Sequence, residues 1–107
     1  MPDASAQADP FSALGDPYRR AIVEMLADGA RPVGEIAAAL PISRPAVSRH
    51  LRLLKEAGLV RDDARGTRRL YTLHGQGAEE ITRYMTQVWS EVAARFMFTA
   101  ENIGERD

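Results

Sequence analysis

Ser43-Arg44-Pro45-Ala46-Val47-Ser48-Arg49-His50-Leu51-Arg52 is the stretch on which the fold turns. Ser43 offers a hydroxyl to the first backbone N–H groups of a helix, and Pro45 is tolerated in that helix's first turn. Val47, Leu51 and Leu54 follow at i, i+4 and i+7, so one face is apolar and turns inward. The opposite face carries Arg44, Pro45, Ser48, Arg49 and Arg52, and no acid lies between Ser43 and Lys55. A merely solvated face usually interleaves both signs, whereas an all-cationic one suits an anionic surface.

Upstream, Val33, Ile36, Ala37 and Leu40 share one face of a short helix over 33–40, for which Pro32 is the best start signal and Pro41 the stop. Only Pro41-Ile42 separate it from the helix opened by Ser43, the tight connection of a helix-turn-helix over 33–58. Before it, Asp16-Pro17 starts a helix as cap and first residue, Ile22, Met25 and Leu26 form its stripe, and Gly29 ends it. Downstream, Gly58 closes the central helix, with Leu59 placed for the apolar contact of a Schellman cap. A strand-turn-strand fills 59–73: Leu59-Val60-Arg61, a tip at Ala64-Arg65-Gly66, then Thr67 to Leu73, with Tyr71 and Leu73 on one face. The last helix is expected over 78–101, with Ile81, Met85, Val88, Val92 and Phe96 as one stripe and Tyr84, Trp89 and Phe98 beside it.

The fold class that follows is mainly α with a small β-hairpin, in the order α-α-α-β-β-α. It is a winged helix-turn-helix forming a single domain over 10–103, with tails at 1–9 and 104–107. In such a fold the second helix of the motif enters the major groove with its N-terminal residues at base edges. Arg49 is suited to guanine by two parallel hydrogen bonds, and Ser48 to a base or phosphate. Ser43, Arg44, Pro45 and Arg52 flank them, and the hairpin tip adds Arg65, Thr67, Arg68 and Arg69 for phosphates or an adjacent minor groove.

Bulk composition agrees once it is divided. The chain has 107 residues, 45% hydrophobic, and a formal net charge of −1. Residues 44–69 hold eight Lys/Arg against three acids, so the basic edge sits on an acidic remainder. A domain of this length buries only about 60–65% of its unfolded surface, and dimerisation would bury more. With no cysteine in the sequence, disulfides, thiolate metal sites and thiol switches are excluded. No apolar run approaches a membrane span and residues 1–9 do not read as a signal peptide, so a cytoplasmic location is expected. No nucleophile has a base at a recognisable spacing and no Gly-rich phosphate loop is present, so no catalytic residue and no cofactor are expected.

His50 lies at the edge of the apolar face, where it braces the helix or bonds the backbone; His74 ends the second strand before a Gly75-Gln76-Gly77 turn. Two isolated histidines make a poor metal site, and none is expected. Trp89, Tyr84, Phe96, Met97 and Phe98 exceed what one small domain covers and read as a subunit interface rather than a ligand pocket.

The chain resembles the ArsR-type (ArsR/SmtB) winged helix-turn-helix repressors across residues 10 to about 90. The resemblance rests on the run from Phe11 through Leu14-Gly15-Asp16-Pro17 to Arg19-Arg20, Ile22 and Leu26. It continues through Val33-Gly34-Glu35-Ile36-Ala37, Ile42 to Leu51, Leu54 to Val60, and Arg68 to Leu73. It implies a homodimer built from the first and last helices, bringing Phe11 and Leu14 together with Tyr84, Met85, Val88, Trp89, Val92 and Phe96. It also implies repression through double-stranded operator DNA, often with release by a small-molecule inducer. Where metal sensors of the family carry a Cys-x-Cys element this chain has Ala37-Ala38-Ala39, and 78–101 holds Glu79, Glu80, Glu91 and Glu101 but no histidine. The cysteine pair of persulfide sensors is absent, and Thr67 stands where an arginine frequently follows the wing glycine.

Overall fold

The computed structural model describes residues 9–104, with side chains through Met97. The chain beyond those bounds, including most of both expected tails and the side chains of Phe98 and Glu101, lies outside the described residues.

Asp9 accepts from the N–H of Phe11 at 3.3 Å and caps a four-residue helix, α1 (Pro10–Ala13). Asp16 caps α2 (Pro17–Leu26), its carboxylate accepting from Tyr18 N at 2.8 Å and Arg19 N at 3.1 Å, with Pro17 at the first helical position. Gly29, at φ +139, then releases the chain into a two-residue strand, β1 (Arg31–Pro32).

The helix-turn-helix follows as α3 (Val33–Ala38) and α4 (Arg44–Glu56). The first is shorter than its apolar spacing suggests. Ala39 N bonds Ile36 O and Leu40 N bonds Ala37 O, a tightened last turn, because Pro41 disfavours the α conformation for the residue before it. At the other end of α4, Gly58 N bonds Lys55 O and Leu59 N bonds Leu54 O, both at 3.0 Å, which completes the Schellman pattern. Gly58 sits at φ +76, where a side chain would be strained.

β2 (Val60–Arg65) and β3 (Arg68–Leu73) form an antiparallel hairpin with Arg65 opposite Arg68. The turn is therefore Gly66-Thr67, one residue further along than the expected tip, with Gly66 at φ +66 in the position a tight hairpin reserves for glycine. β1 adds an edge strand to β3, so the sheet has three strands in the order β1-β3-β2. Pro32 is tolerated there because an edge strand spares one side of its backbone from the ladder.

Ile22, Ile36, Val47, Leu51, Leu54 and Val60 are fully enclosed and join α2, α3, α4 and β2 in one core. Truncating a residue such as Leu51 to alanine would cost about 2–5 kcal/mol. Tyr71 packs against this core, while Leu73 lies at the edge, 36% exposed.

The last helix begins at Gly75, three residues before the expected start. It runs as α5 (Gly75–Tyr84), a π-helical segment (Met85–Trp89) and α6 (Ser90–Gly104). The π turn interrupts the expected straight stripe from Ile81 to Phe96, and nothing in the residues Met85–Trp89 accounts for it. Gly75-Gln76-Gly77 are helical rather than a turn because Gly77 must lie against the end of α4: its N–H donates to Gly58 O at 2.8 Å. A β-carbon there would stand 2.5 Å from Ala57 O. Ile81 packs on the core and Tyr84 on Phe11 of α1, but most residues from 82 to 97 are exposed. The radius of gyration is 18.0 Å, against about 13 Å for a compact chain of some 100 residues.

Candidate nucleic-acid interface

The outer face of α4 is built from its cap outward. Ser43 Oγ accepts from Ala46 N at 3.2 Å, which fixes the helix start and leaves the hydroxyl hydrogen available to donate. With Val47, Leu51 and Leu54 buried, Arg44, Pro45, Ser48, Arg49 and Arg52 are all exposed. Among the described residues, no hydrogen bond or ion pair engages the guanidinium of Arg44, Arg49 or Arg52. Each retains its five N–H donors for an external acceptor.

Arg44, Thr67, Arg68 and Arg69 line one open cleft of about 510 Å³ with Pro32 and Glu35. The structure thus brings the first turn of α4 beside the turn end of the wing, joining two sets of residues far apart in sequence. Arg65 is exposed at the hairpin's end. Arg68 lies 3.8 Å from Glu35, and both side chains are more than half exposed, so this pair adds little.

Arg69 is differently placed. It bonds Asp62, which also holds Lys55 Nζ at 2.7 Å. These hydrogen bonds, from Lys55 first and Arg69 second, hold the Asp62 carboxyl below its ordinary value against the opposing effect of burial. Sequence reading missed Asp62 and Glu35. The available signal was the hairpin register, since Asp62 opposes Tyr71 and so lies diagonal to Arg69 on the same face.

His50 is half-buried and accepts a 3.2 Å hydrogen bond from Arg19 Nη1, with the ring of Tyr18 6.2 Å away. It braces α4 against α2, through an arginine side chain rather than the backbone. Among the described residues no group of three or more His, Cys, Asp or Glu is placed to hold a metal ion.

The apolar set lies on α1, the residue after it and the last helix. Phe11 and Tyr84 meet edge to face with ring centroids 5.2 Å apart, joining α1 to the last helix. Leu14 and Val92 are half-buried, while Tyr84, Met85, Val88, Trp89 and Phe96 are exposed. Trp89 is 50% and Phe96 70% open. No described helix is long and apolar enough to cross a membrane.

A helix-turn-helix domain model matches residues 14–63, covering α2, the helix-turn-helix and the first part of the wing. The chain is 43% identical over 95 residues to the HTH-type transcriptional regulator Rv2034 of Mycobacterium tuberculosis, spanning 89% of each chain. It is 35% identical over 75 residues to the transcriptional repressor SdpR of Bacillus subtilis, covering 70% of this chain and 83% of that one. An ArsR-like transcriptional regulator from Rhodococcus sp. RHA1 superposes with a TM-score of 0.68 at 26% identity, covering 91% and 92% of the two chains. The homodimeric winged helix-turn-helix DNA-binding domain of Mb0332 from Mycobacterium bovis matches with a TM-score of 0.59 at 29% identity, over 86% of this chain and 81% of that one. With a helix-turn-helix and a wing built as described, the chain belongs to the ArsR family of winged helix-turn-helix transcriptional regulators, proteins that act by binding DNA.

Proposed function

We propose that the protein is a homodimeric repressor that reads an inverted-repeat operator, with α4 of each protomer in the major groove of one half-site. The observation that carries this reading is the outer face of α4, where Arg44, Arg49 and Arg52 are exposed and without protein partners among the described residues. In this reading Arg49 is the base reader, assisted by Ser48, while Ser43, Arg44 and Arg52 hold the flanking phosphates. Pro45 lies against the groove wall. Arg65, Thr67 and Arg68 grip the backbone from the wing, with Arg69 tied to Asp62. The chain has no catalytic role in this account, and its location is the cytoplasm, where its DNA is.

Dimerisation is supported by the last helix. An exposed Trp, Tyr, Phe and two Met on one projecting element form the kind of apolar surface that a monomer rarely leaves open. Phe11, Leu14, Tyr84, Met85, Val88, Trp89, Val92 and Phe96 form the interface in this reading. The homodimeric state of the Mb0332 domain supports it too, and the name of the SdpR relative supports repression. Two-fold symmetry then sets half-sites about one helical turn apart or a multiple of it.

The test is selection of bound genomic fragments followed by a gel shift on the recovered site. An inverted repeat, bound by two protomers and displaced by no excess of scrambled duplex, is the expected result. Recovery of no sequence above background would overturn the reading in favour of a winged helix used for protein contacts.

A further inference from the structure

Asp62 is placed where one carboxylate controls two cations. Its side chain is 7% exposed, yet the heads it holds belong to different elements: Lys55 from the last turn of α4 and Arg69 from β3. Both partners are more than half exposed, at 54% and 57%, so neither is itself buried by the contact. Without Asp62 each would be a mobile surface cation on the most basic stretch of the chain. Cations of that kind bind phosphate, which strengthens association with every sequence alike and carries no base preference. The same contacts tie the wing to the end of the recognition helix, because the diagonal pairing with Arg69 fixes the hairpin and Lys55 fixes α4.

We propose that Asp62 is a specificity-determining residue: it withholds Lys55 and Arg69 from DNA phosphates and positions the wing on the recognition helix. Binding to non-operator DNA is thereby kept weak relative to binding at the operator. This inference rests on the operator-reading function proposed above. Asp63, next along β2, supplies a matched control, being exposed and without an ion pair among the described residues. Asp62→Asn and Asp63→Asn add the same single charge, but only the first releases two cations.

The experiment is a salt series on operator and scrambled duplexes with wild type and both variants. Asp62→Asn is expected to bind scrambled DNA several-fold more tightly. Its slope of log affinity against log salt should steepen by about 0.9 for each released cation that reaches a phosphate, and its operator-to-scrambled ratio should fall. Asp63→Asn should stay near wild type in both readouts. Lys55→Gln should leave the wild-type slope unchanged and remove one step of the excess in the Asp62→Asn background. Its wild-type measurement decides the matter even where Asp62→Asn does not fold. Identical behaviour of Asp62→Asn and Asp63→Asn overturns the proposal, as does Lys55→Gln lowering the wild-type slope, or Asp62→Asn weakening both duplexes with no change in slope. Wild-type protein that binds both duplexes alike overturns the operator reading itself.

Discussion

Arg19, in the first turn of α2, donates from Nη1 to Nδ1 of His50 in α4 at 3.2 Å and from Nε to Ala13 O at 2.6 Å. One guanidinium therefore joins the end of α1, the start of α2 and the recognition helix. Because a guanidinium has no acceptor, Arg19 must be the donor and Nδ1 of His50 the acceptor in this bond. Arg19→Ala is expected to lower unfolding free energy by about 1.5–3 kcal/mol, the range for hydrogen bonds to charged groups. Arg19→Lys should recover little, since an ammonium cannot span both acceptors in this fork. Urea denaturation measures both, and a drop of less than half a kcal/mol in Arg19→Ala would remove the link.

Acid should unfold the protein through two carboxylates. Burial pushes Asp16 up, but the backbone N–H groups of Arg19 and Tyr18, with the nearby charge of Arg19, hold it below its ordinary value. Asp62 is lowered by Lys55 and Arg69. A carboxyl with a depressed folded-state pKa stabilises above the unfolded value of about 3.9, and that stabilisation is lost as pH falls through the folded value. Unfolding free energy should hold steady down to about pH 5 and then decline. Asp62→Asn should flatten the decline, as should Asp16→Asn, which keeps a cap. Wild-type stability unchanged at pH 3 would contradict this.

Two glycines in helices should respond with opposite signs. At Gly77 an added β-carbon meets Ala57 O at 2.5 Å and Leu59 Cδ2 at 3.0 Å, so α5 must move off the end of α4. Gly77→Ala is expected to cost about 1–3 kcal/mol despite alanine's better helix propensity. At Gly34, in α3, a β-carbon meets nothing within 4 Å, and Gly34→Ala should stabilise by up to about 1 kcal/mol. Thermal melts of the pair test the packing directly.

Gly77 also shows where sequence reading stopped. Its two-glycine neighbourhood reads as a turn by local propensity, and only the approach of the α4 terminus explains why it is helical. The long periodic segments were legible because Val47, Leu51 and Leu54 or Ile22 and Leu26 bury one face of a helix whatever surrounds it. β1 was not legible: two residues, one of them proline, carry no alternation, and its pairing with Leu70 and Tyr71 is long-range. The four-residue α1 is too short for a period. In the candidate site, the exposed arginines of α4 could be read from spacing. The Asp62–Arg69 pair follows only once the hairpin register is known, and the Asp62–Lys55 contact not even then, since it brings the hairpin to the end of a separate helix.

The exposed apolar residues of the last helix make a separate prediction. Trp89 is half-exposed between Val88 and the projecting α6, and a charge there should oppose burial against a second copy. Wild-type protein at micromolar concentration is expected to sediment as a dimer, and Trp89→Glu as a monomer of lower stability. A stable wild-type monomer, or a Trp89→Glu dimer of unchanged stability, would contradict the interface.

In the proposed function α4 reads bases while the wing grips phosphates, and Arg49 and Arg68 separate the two roles. Arg49 is exposed in the second turn of α4, and Arg68 lies on the wing, more than half exposed, with Glu35 3.8 Å away. The decisive measurement is the affinity of Arg49→Ala and Arg68→Ala for operator and scrambled duplex across a range of salt. Arg49→Ala should weaken operator binding by about 1–3 kcal/mol per half-site and relax preference at one position. Arg68→Ala should weaken both duplexes about equally and reduce the salt slope by about 0.9 for each phosphate it no longer neutralises. The reverse pattern would exchange reader and clamp, and unchanged affinity in both variants would contradict entry of α4 into the groove.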